Sequence, residues 1–176
     1  MNDVSRDAGN TVSLAERRAF SSSFKALYDE GMTLVEEAAE YLDGQGRVEA
    51  KKMSRVAATL YAAESMRLTT RLMQVASWLL LQRAANSGEM TRDQVASEKG
   101  KVRLDTASAK EDVPGWRELP EEFQALVRRS LSLQTVVRRV DDEIYGARQA
   151  SSGAAGRSSN PVSDQIVLLK TAFGRG

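Results

Sequence analysis

The chain has 176 residues, of which 41% are hydrophobic and 28% charged, a composition typical of one soluble domain with a single core. Its 25 basic and 24 acidic residues give a net charge of +1, which argues against a nucleic-acid or membrane-surface binder and favours protein partners. The sequence contains no cysteine and no histidine, which excludes disulfides, thiol or histidine-dependent nucleophiles, and the zinc and di-iron sites that need these ligands. We expect no cofactor. We expect no signal peptide, because the first 15 residues carry acidic side chains and lack an apolar stretch. We expect no membrane span, because the longest apolar run, Val75 to Leu81, is far shorter than the roughly 20 residues that a span requires.

The first predicted helix covers about Ser21 to Asp43. Its apolar residues recur at alternating steps of three and four, which is the spacing of an amphipathic helix. They are Phe20, Phe24, Leu27, Gly31, Leu34, Ala38 and Tyr41. The serines at 21 to 23 are N-cap candidates, and Gly44 suits the position after the last turn. Residues 1–19 lack this periodicity, and we expect them to form a disordered leader.

The second predicted helix, Arg47 to Ser87, is very long because no proline or glycine interrupts it before Gly88. Its apolar residues fall on two faces. One face carries Ala57, Tyr61, Leu68, Leu72, Val75 and Leu79, and the other carries Met66, Met73, Ala76 and Leu80. Because one neighbouring helix cannot bury two faces, we expect a central bundle helix that also meets a second subunit, which makes the protein a homodimer. The predicted dimer seam consists of Leu68, Leu72, Val75 and Leu79.

Residues 88–118 are expected to form a largely irregular crossover with one short polar helix, opened by a capping box at Thr91 and Gln94. The third helix begins at Pro120, and two glutamates after it suit the positive end of the helix dipole. Its seam repeats at steps of three and four as far as Gly146 and has one polar position. The seam residues are Phe123, Leu126, Ser130, Leu133, Val137, Val140 and Ile144. The sequence therefore predicts an all-α fold, an antiparallel three-helix bundle over residues 20–146 with a very long central helix.

The composition changes after Gly146. Residues up to Asn160 are mainly Gly, Ala, Ser and Arg, which cannot form a core, so residues 147–176 are predicted to be a flexible tail. Ile166, Leu169 and Phe173 then fall at helical spacing in a short apolar segment over 162–173. This segment either docks on a partner or folds back onto the bundle. Four basic residues against one acid give the tail a net charge of 4 − 1, or +3.

Glu37 and Glu40 form an ExxE pair on the first helix, and such pairs hold magnesium in all-α nucleoside triphosphate pyrophosphatases. That reaction needs a second acidic pair on the facing helix, because Mg²⁺ that bridges phosphates takes carboxylates from both sides. The second predicted helix has no acidic pair at that spacing, since Glu64 is followed by Arg67. The simpler interpretation is a solvated acidic face. We expect no catalytic residue and no metal site.

A polar band crosses the most apolar helix. Tyr61, Glu64, Arg67 and Arg71 are separated by three or four residues, so they share one face. Two interpretations stay open: a partner-binding cluster, or a salt bridge between helices inside the bundle. The candidate partner-binding residues are these four and the apolar residues of the tail, Ile166, Leu169 and Phe173.

Four stretches of the sequence carry a resemblance to a known family. They are EGMTLVEEAAEYLDGQGR at 30–47, ESMRLTTRLMQVASWLLLQRAANSGEM at 64–90, ELPEEF at 118–123 and RRVDDEIYG at 138–146. These strings resemble the regulator of CtrA degradation family of alphaproteobacteria. The resemblance covers about Phe20 to Gly146, lapses before Phe20 and is weakest in the tail.

The resemblance implies a dimeric three-helix bundle without catalytic residues that serves as an adaptor for the ClpXP protease during the cell cycle. Such a protein joins a ClpXP complex primed by a single-domain response regulator and carries cargo transcription factors to it. A further adaptor that binds cyclic di-GMP is an additional implied partner. The expected location is the cytoplasm, with concentration at a cell pole as a further option. The alternative functions are the magnesium-dependent pyrophosphatase and a polar scaffold protein without a role in proteolysis.

Overall fold

The computed structural model describes residues 7–146, with side chains from residue 21 onward except at position 92. It contains the helices α1 (Asp7–Asp43), α2 (Gln45–Ala50), α3 (Arg55–Ser87), α4 (Arg92–Lys99) and α5 (Glu121–Asp141). A short 3-10 helix, Trp116–Glu118, precedes α5, and a π-helical segment, Asp142–Gly146, follows it. No strand occurs among residues 7–146, and the predicted all-α bundle class is confirmed.

Helix α1 ends at Asp43 as predicted but begins at Asp7, well before Ser21. The sequence predicts a disordered leader over residues 1–19; residues 7–19 belong to α1, and residues 1–6 lie outside the described part of the chain. The physical reason is propagation. No proline stands between Asp7 and Asp43, and once a helix has nucleated each further residue adds a hydrogen bond at low cost, even without an apolar face.

The predicted helix from Arg47 to Ser87 is wrong in one respect, because the chain breaks it into α2 and α3. The break lies at Ser54, which is the N-cap of α3: its hydroxyl accepts a hydrogen bond from the backbone N–H of Ala57 at 3.2 Å. An N-cap residue adopts a non-helical backbone, here φ −59° and ψ 159°, so a helix cannot continue through it. At 33 residues, α3 is still about 50 Å long.

Residue contacts give the directions of the long helices. The ring of Phe24 lies 6.5 Å from that of Trp78, while Gly46, just past the other end of α1, lies against Tyr61. Thus α1 and α3 are antiparallel. Phe123, near the start of α5, packs 4.6 Å from Tyr61, near the start of α3. Farther along both helices Arg71 contacts Ser130, so α3 and α5 run in the same direction. This corrects the predicted antiparallel arrangement for these two helices: the long crossover over residues 88–120 returns the chain to the start of α3, and both helices are antiparallel to α1.

The core lies between α1, α3 and α5, where the predicted stripes meet. Gly31 of α1 sits where a Cβ would collide with Leu79 and lie 3.7 Å from Leu133, so it permits a close approach of three helices. The buried apolar side chains of these helices up to residue 137 are Phe24, Leu34, Ala38, Tyr41, Ala57, Tyr61, Leu68, Leu72, Val75, Trp78, Leu79, Phe123, Leu126, Val127, Leu133 and Val137. The predicted α1 and α5 seams are therefore the faces that build the core.

The crossover contains the short polar helix α4, opened by the predicted capping box: the side chain of Thr91 accepts from the N–H of Gln94, and the Gln94 side chain accepts from the N–H of Thr91. Val95, Trp116 and Leu119 are its buried anchors. Between α4 and Trp116 the chain has no helix, as predicted for this stretch.

The chain divides into two compact units, Met1–Val137 and Arg138–Gly176. The core contacts between α1, α3 and α5 lie within the first unit. In the second unit the structure describes only residues 138–146, which form the end of α5 and the π-helical segment. The predicted bundle boundary at Gly146 stays a prediction, and the predicted tail, 147–176, lies outside the described residues. Among the helices described, none combines the length and apolarity needed to cross a bilayer.

Candidate functional site

The polar band predicted from the sequence is mostly an internal cluster that binds the crossover to α3. Arg71 is completely buried, and each part of its guanidinium has an acceptor. It donates to the Ser130 hydroxyl of α5 at 2.6 Å, to the Ser108 hydroxyl at 2.7 Å and to the carbonyl of Thr106 at 3.2 Å. One arginine thus joins α3, the crossover and α5. We call Glu64, Arg67, Arg71 and these partners the polar clasp.

Glu64 is the acidic member of the polar clasp and is also completely buried. It accepts a hydrogen bond from the backbone N–H of Ala109 at 2.9 Å and pairs with the guanidinium of Arg67. Burial alone would raise the pKa of Glu64, but the bonds from Ala109 and Arg67 outweigh it and hold the pKa below its usual range. Glu64 is therefore a carboxylate at neutral pH.

This geometry favours the internal salt-bridge interpretation for most of the band. Glu64 and Arg71 have no contact with solvent, and Tyr61 is buried against Phe123, so a partner cannot reach them in this state. Only Arg67 reaches the surface, with its side chain about half exposed. The other candidate partner-binding residues, Ile166, Leu169 and Phe173, lie outside the described residues and stay a prediction.

The predicted dimer seam is placed inside a single chain, which corrects that prediction. Leu68, Leu72, Val75 and Leu79 are all buried in the core against α1 and α5, so a second subunit cannot contact them while the bundle is closed. Periodicity revealed two apolar faces on α3 without showing which one turns inward. The face with branched aliphatic residues packs in the core, because a densely packed interior favours side chains with few rotamers. The face with the flexible methionines is exposed.

The outward face of α3 carries an apolar stripe. Met66, Met73 and Leu80 are exposed by 73%, 66% and 49%, although all three are large and apolar. With smaller residues between them they recur at steps of four and three, the spacing of a coiled-coil seam. The α3 stripe consists of Ala62, Met66, Thr69, Met73, Ala76 and Leu80. None of the six is charged, and the stripe is about 27 Å long. The stripe is therefore an exposed and uncharged apolar surface along α3.

The ExxE pair lies on a different surface, between the end of α1 and the start of α5. Glu37 pairs with Arg129, and the two residues line a small pocket with Glu40 and Glu122. An arginine thus takes the position where a magnesium site would need a second acidic pair. Within the described residues, no cluster of three or more acidic side chains is arranged to hold a metal ion. The geometry gives the pyrophosphatase interpretation no support.

Comparisons with known proteins agree with the resemblance in the sequence. A family model described as "protein of unknown function (DUF1465)" matches residues 15–173. Among solved structures, the chain is similar to the crystal structure of RcdA from Caulobacter crescentus CB15, with 48% sequence identity and a TM-score of 0.58. That match covers 69% of this chain and 90% of the other. A search of curated proteins finds no match.

Proposed function

Because the chain belongs to the RcdA-like family, which the family model describes as a protein of unknown function (DUF1465), we propose that it is a non-enzymatic adaptor in regulated proteolysis. The observation that carries this proposal is the 48% identity that extends over 90% of the RcdA chain. The proposed location is the cytoplasm, with concentration at a cell pole as a further option.

The proposed partners are ClpXP, primed by a single-domain response regulator, and cargo transcription factors of the cell cycle, including CtrA. A further adaptor that binds cyclic di-GMP is a proposed addition for some cargo. An adaptor needs no chemistry of its own. It holds the protease complex on one surface and cargo on another, so that the cargo's degradation signal meets the unfoldase at a high effective concentration.

The α3 stripe supports a proposal for dimerisation. It is apolar, uncharged and self-complementary in pattern, because large residues (Met66, Met73, Leu80) alternate with small ones (Ala62, Thr69, Ala76). Two copies of α3 can pack large residues of one against small residues of the other, as helices do when knobs enter holes. We propose this stripe, in place of Leu68, Leu72, Val75 and Leu79, as the homodimer seam.

A reconstituted degradation assay tests the adaptor function. Purified ClpXP, the matching response regulator and a fluorescent cargo such as CtrA are incubated with and without this protein, and the initial rate of cargo loss is measured. We expect the rate to rise only when the response regulator and this protein are both present. Equal rates with and without this protein, over a panel of candidate cargo proteins, would contradict the proposal and favour a scaffold that binds without delivering.

A further inference from the structure

A groove on the side of α3 is separate from the α3 stripe. It lies between the first half of α3 and the crossover residues 109–114 and has a volume of about 570 Å³. Its floor is apolar and includes Val56 and Leu60 from the helix and Val113 and Pro114 from the crossover. Val56 is 54% exposed, so the floor is open to solvent. We call this the α3–crossover groove.

The walls of the groove are fixed by buried polar contacts. Glu64 accepts the N–H of Ala109 in one wall and pairs with Arg67 in the other, so a single completely buried carboxylate holds both. Where the crossover leaves the groove, Gly115 lies against α3 with a left-handed φ of +88°, and a Cβ there would be 3.1 Å from the Cα of Ala57. A residue with a side chain would be strained at that position. The groove is therefore preformed.

Both ionisable residues that line the groove are arginines, Arg55 and Arg67. Arg55 is exposed and makes no ion pair within residues 21–146. It also stands in the first turn of α3, where the positive end of the helix dipole disfavours a cation, and that turn has no acidic residue. A basic residue at this position does not stabilise the folded chain, whereas it would contribute favourably to the binding of a carboxylate.

We propose that the α3–crossover groove binds a short segment of another protein in which acidic residues alternate with or flank apolar ones. The apolar side chains would occupy the floor, and the carboxylates would pair with Arg55 and Arg67, the residue that can form a bidentate contact with a carboxylate. The chain's own last thirty residues have the opposite character, with a net charge of +3. The inference concerns binding alone and does not depend on a role in proteolysis.

Fluorescence anisotropy with the full-length protein tests the proposal. The probe is a fluorescein-labelled ten-residue peptide of alternating leucine and aspartate; a leucine–lysine peptide and a twenty-base single-stranded DNA serve as comparison probes. We expect only the acidic peptide to bind. The Arg55→Glu variant should weaken that binding by about tenfold or more, because it reverses one of two paired charges. Arg47→Glu, at an exposed arginine that lines a different groove, should leave binding unchanged.

Folding and location are controlled in the same experiment. Arg55→Glu places an acidic side chain in the first turn of α3, where it interacts favourably with the helix dipole. The melting temperature of the variant should therefore not be lower than that of the wild-type protein. Amide chemical shifts of the wild-type protein, titrated with the acidic peptide, should move within residues 55–67 and 109–115 whatever the variant does. Absence of binding, equal binding by DNA, equal binding by Arg55→Glu, or shifts confined to another surface would each overturn the proposal.

Discussion

Glu64 and Arg71 are charged side chains that the fold buries completely, and their partners decide whether burial is tolerable. An isolated buried charge would be costly, but each of these has hydrogen bonds to the crossover, and Glu64 pairs with Arg67. Buried networks of this kind often contribute little net stability compared with an apolar core, yet removing one member is strongly destabilising. The polar clasp thus fixes where the crossover lies more than it adds stability.

Replacing Glu64 by Gln should lower the free energy of unfolding at pH 7 by about 1–3 kcal/mol. The reason is that a buried carboxylate, which accepts strong hydrogen bonds, is replaced by a neutral amide. The effect should depend on pH. Since the pKa of Glu64 is held below its ordinary value of 4.5 in the folded state, its contribution is complete above pH 4.5 and is lost as the pH falls through the folded pKa. Urea unfolding of both proteins at pH 7, 5.5 and 3 measures the difference.

The exposed Glu89→Gln serves as the control for this experiment and should leave the free energy of unfolding unchanged at all three values. If the difference in unfolding free energy between the wild-type protein and Glu64→Gln is as large at pH 3 as at pH 7, the carboxylate form of Glu64 does not stabilise the fold.

The sequence correctly placed Glu64 in a polar band. It could not show that the band turns inward, because the acceptors and donors that make burial possible come from the crossover and from α5, 35 to 59 residues away along the chain.

At the scale of elements, local signals predicted several helix ends well but missed the start of α1, which lies at Asp7 and was expected near Ser21. The capping box at Thr91 and the end of α1 at Asp43 depend on neighbouring residues, and both are confirmed. Helix α5 begins at Glu121, one residue after the Pro120 that was expected at its first position. The break at Ser54 depends on an equally local cap, but one that stands in a run of good helix formers without glycine or proline. The shared direction of α3 and α5 could not be read locally, because it depends on the path of the whole crossover.

Met73→Glu tests which face of α3 pairs with a second copy. It places a carboxylate in the middle of the α3 stripe, and two of them in a dimer, so the dissociation constant should rise by about a hundredfold or more. Sedimentation at micromolar concentration should show a dimer for the wild-type protein and a 19.3 kDa species for the variant. The fold should persist, because Met73 is 66% exposed in the single chain.

Val136→Glu, at an exposed apolar residue of α5, is the matched control and should leave the dimer intact. A wild-type protein that sediments only at 19.3 kDa would refute dimerisation altogether. A dimer that tolerates Met73→Glu would place the seam on another face.

The sequence identified both apolar faces of α3, and only the three-dimensional packing assigns one to the core and one to the surface.

At the scale of the whole molecule, the fold class and family followed from the sequence, whereas the locations of the proposed binding surfaces did not. Periodic stripes predict helices and their buried faces because burial of apolar area dominates folding. The residues of the α3 stripe were visible in the sequence as a second apolar face, but its exposure, and the whole α3–crossover groove, become apparent only when the buried residues of the core and the polar clasp are known. Sequence reasoning missed Arg55 and Val56 for that reason, although a basic residue in the first turn of a helix is a visible signal.

The tail is the remaining part of the adaptor proposal, and the family model extends through it to residue 173. We predict that removal of residues 147–176 leaves the melting temperature of the bundle within about 2 °C, because the first half of the tail has almost no apolar side chain to bury. Delivery of at least one cargo should weaken in the degradation assay. Differential scanning calorimetry and initial degradation rates provide the two measurements.

The expected loss of delivery comes from the apolar end of the tail. Ile166, Leu169 and Phe173 can each contribute about 1.5–3 kcal/mol when buried in a partner groove, before the cost of ordering the segment, and the net charge of +3 adds a salt-sensitive attraction to an acidic partner. A full-length variant with these three residues changed to serine keeps the length and charge of the tail. It should deliver as poorly as the truncated protein if apolar docking dominates, and nearly as well as the wild-type protein if charge dominates. A truncated protein that melts several degrees lower would instead show that the segment packs on the bundle and that the tail is part of the core structure.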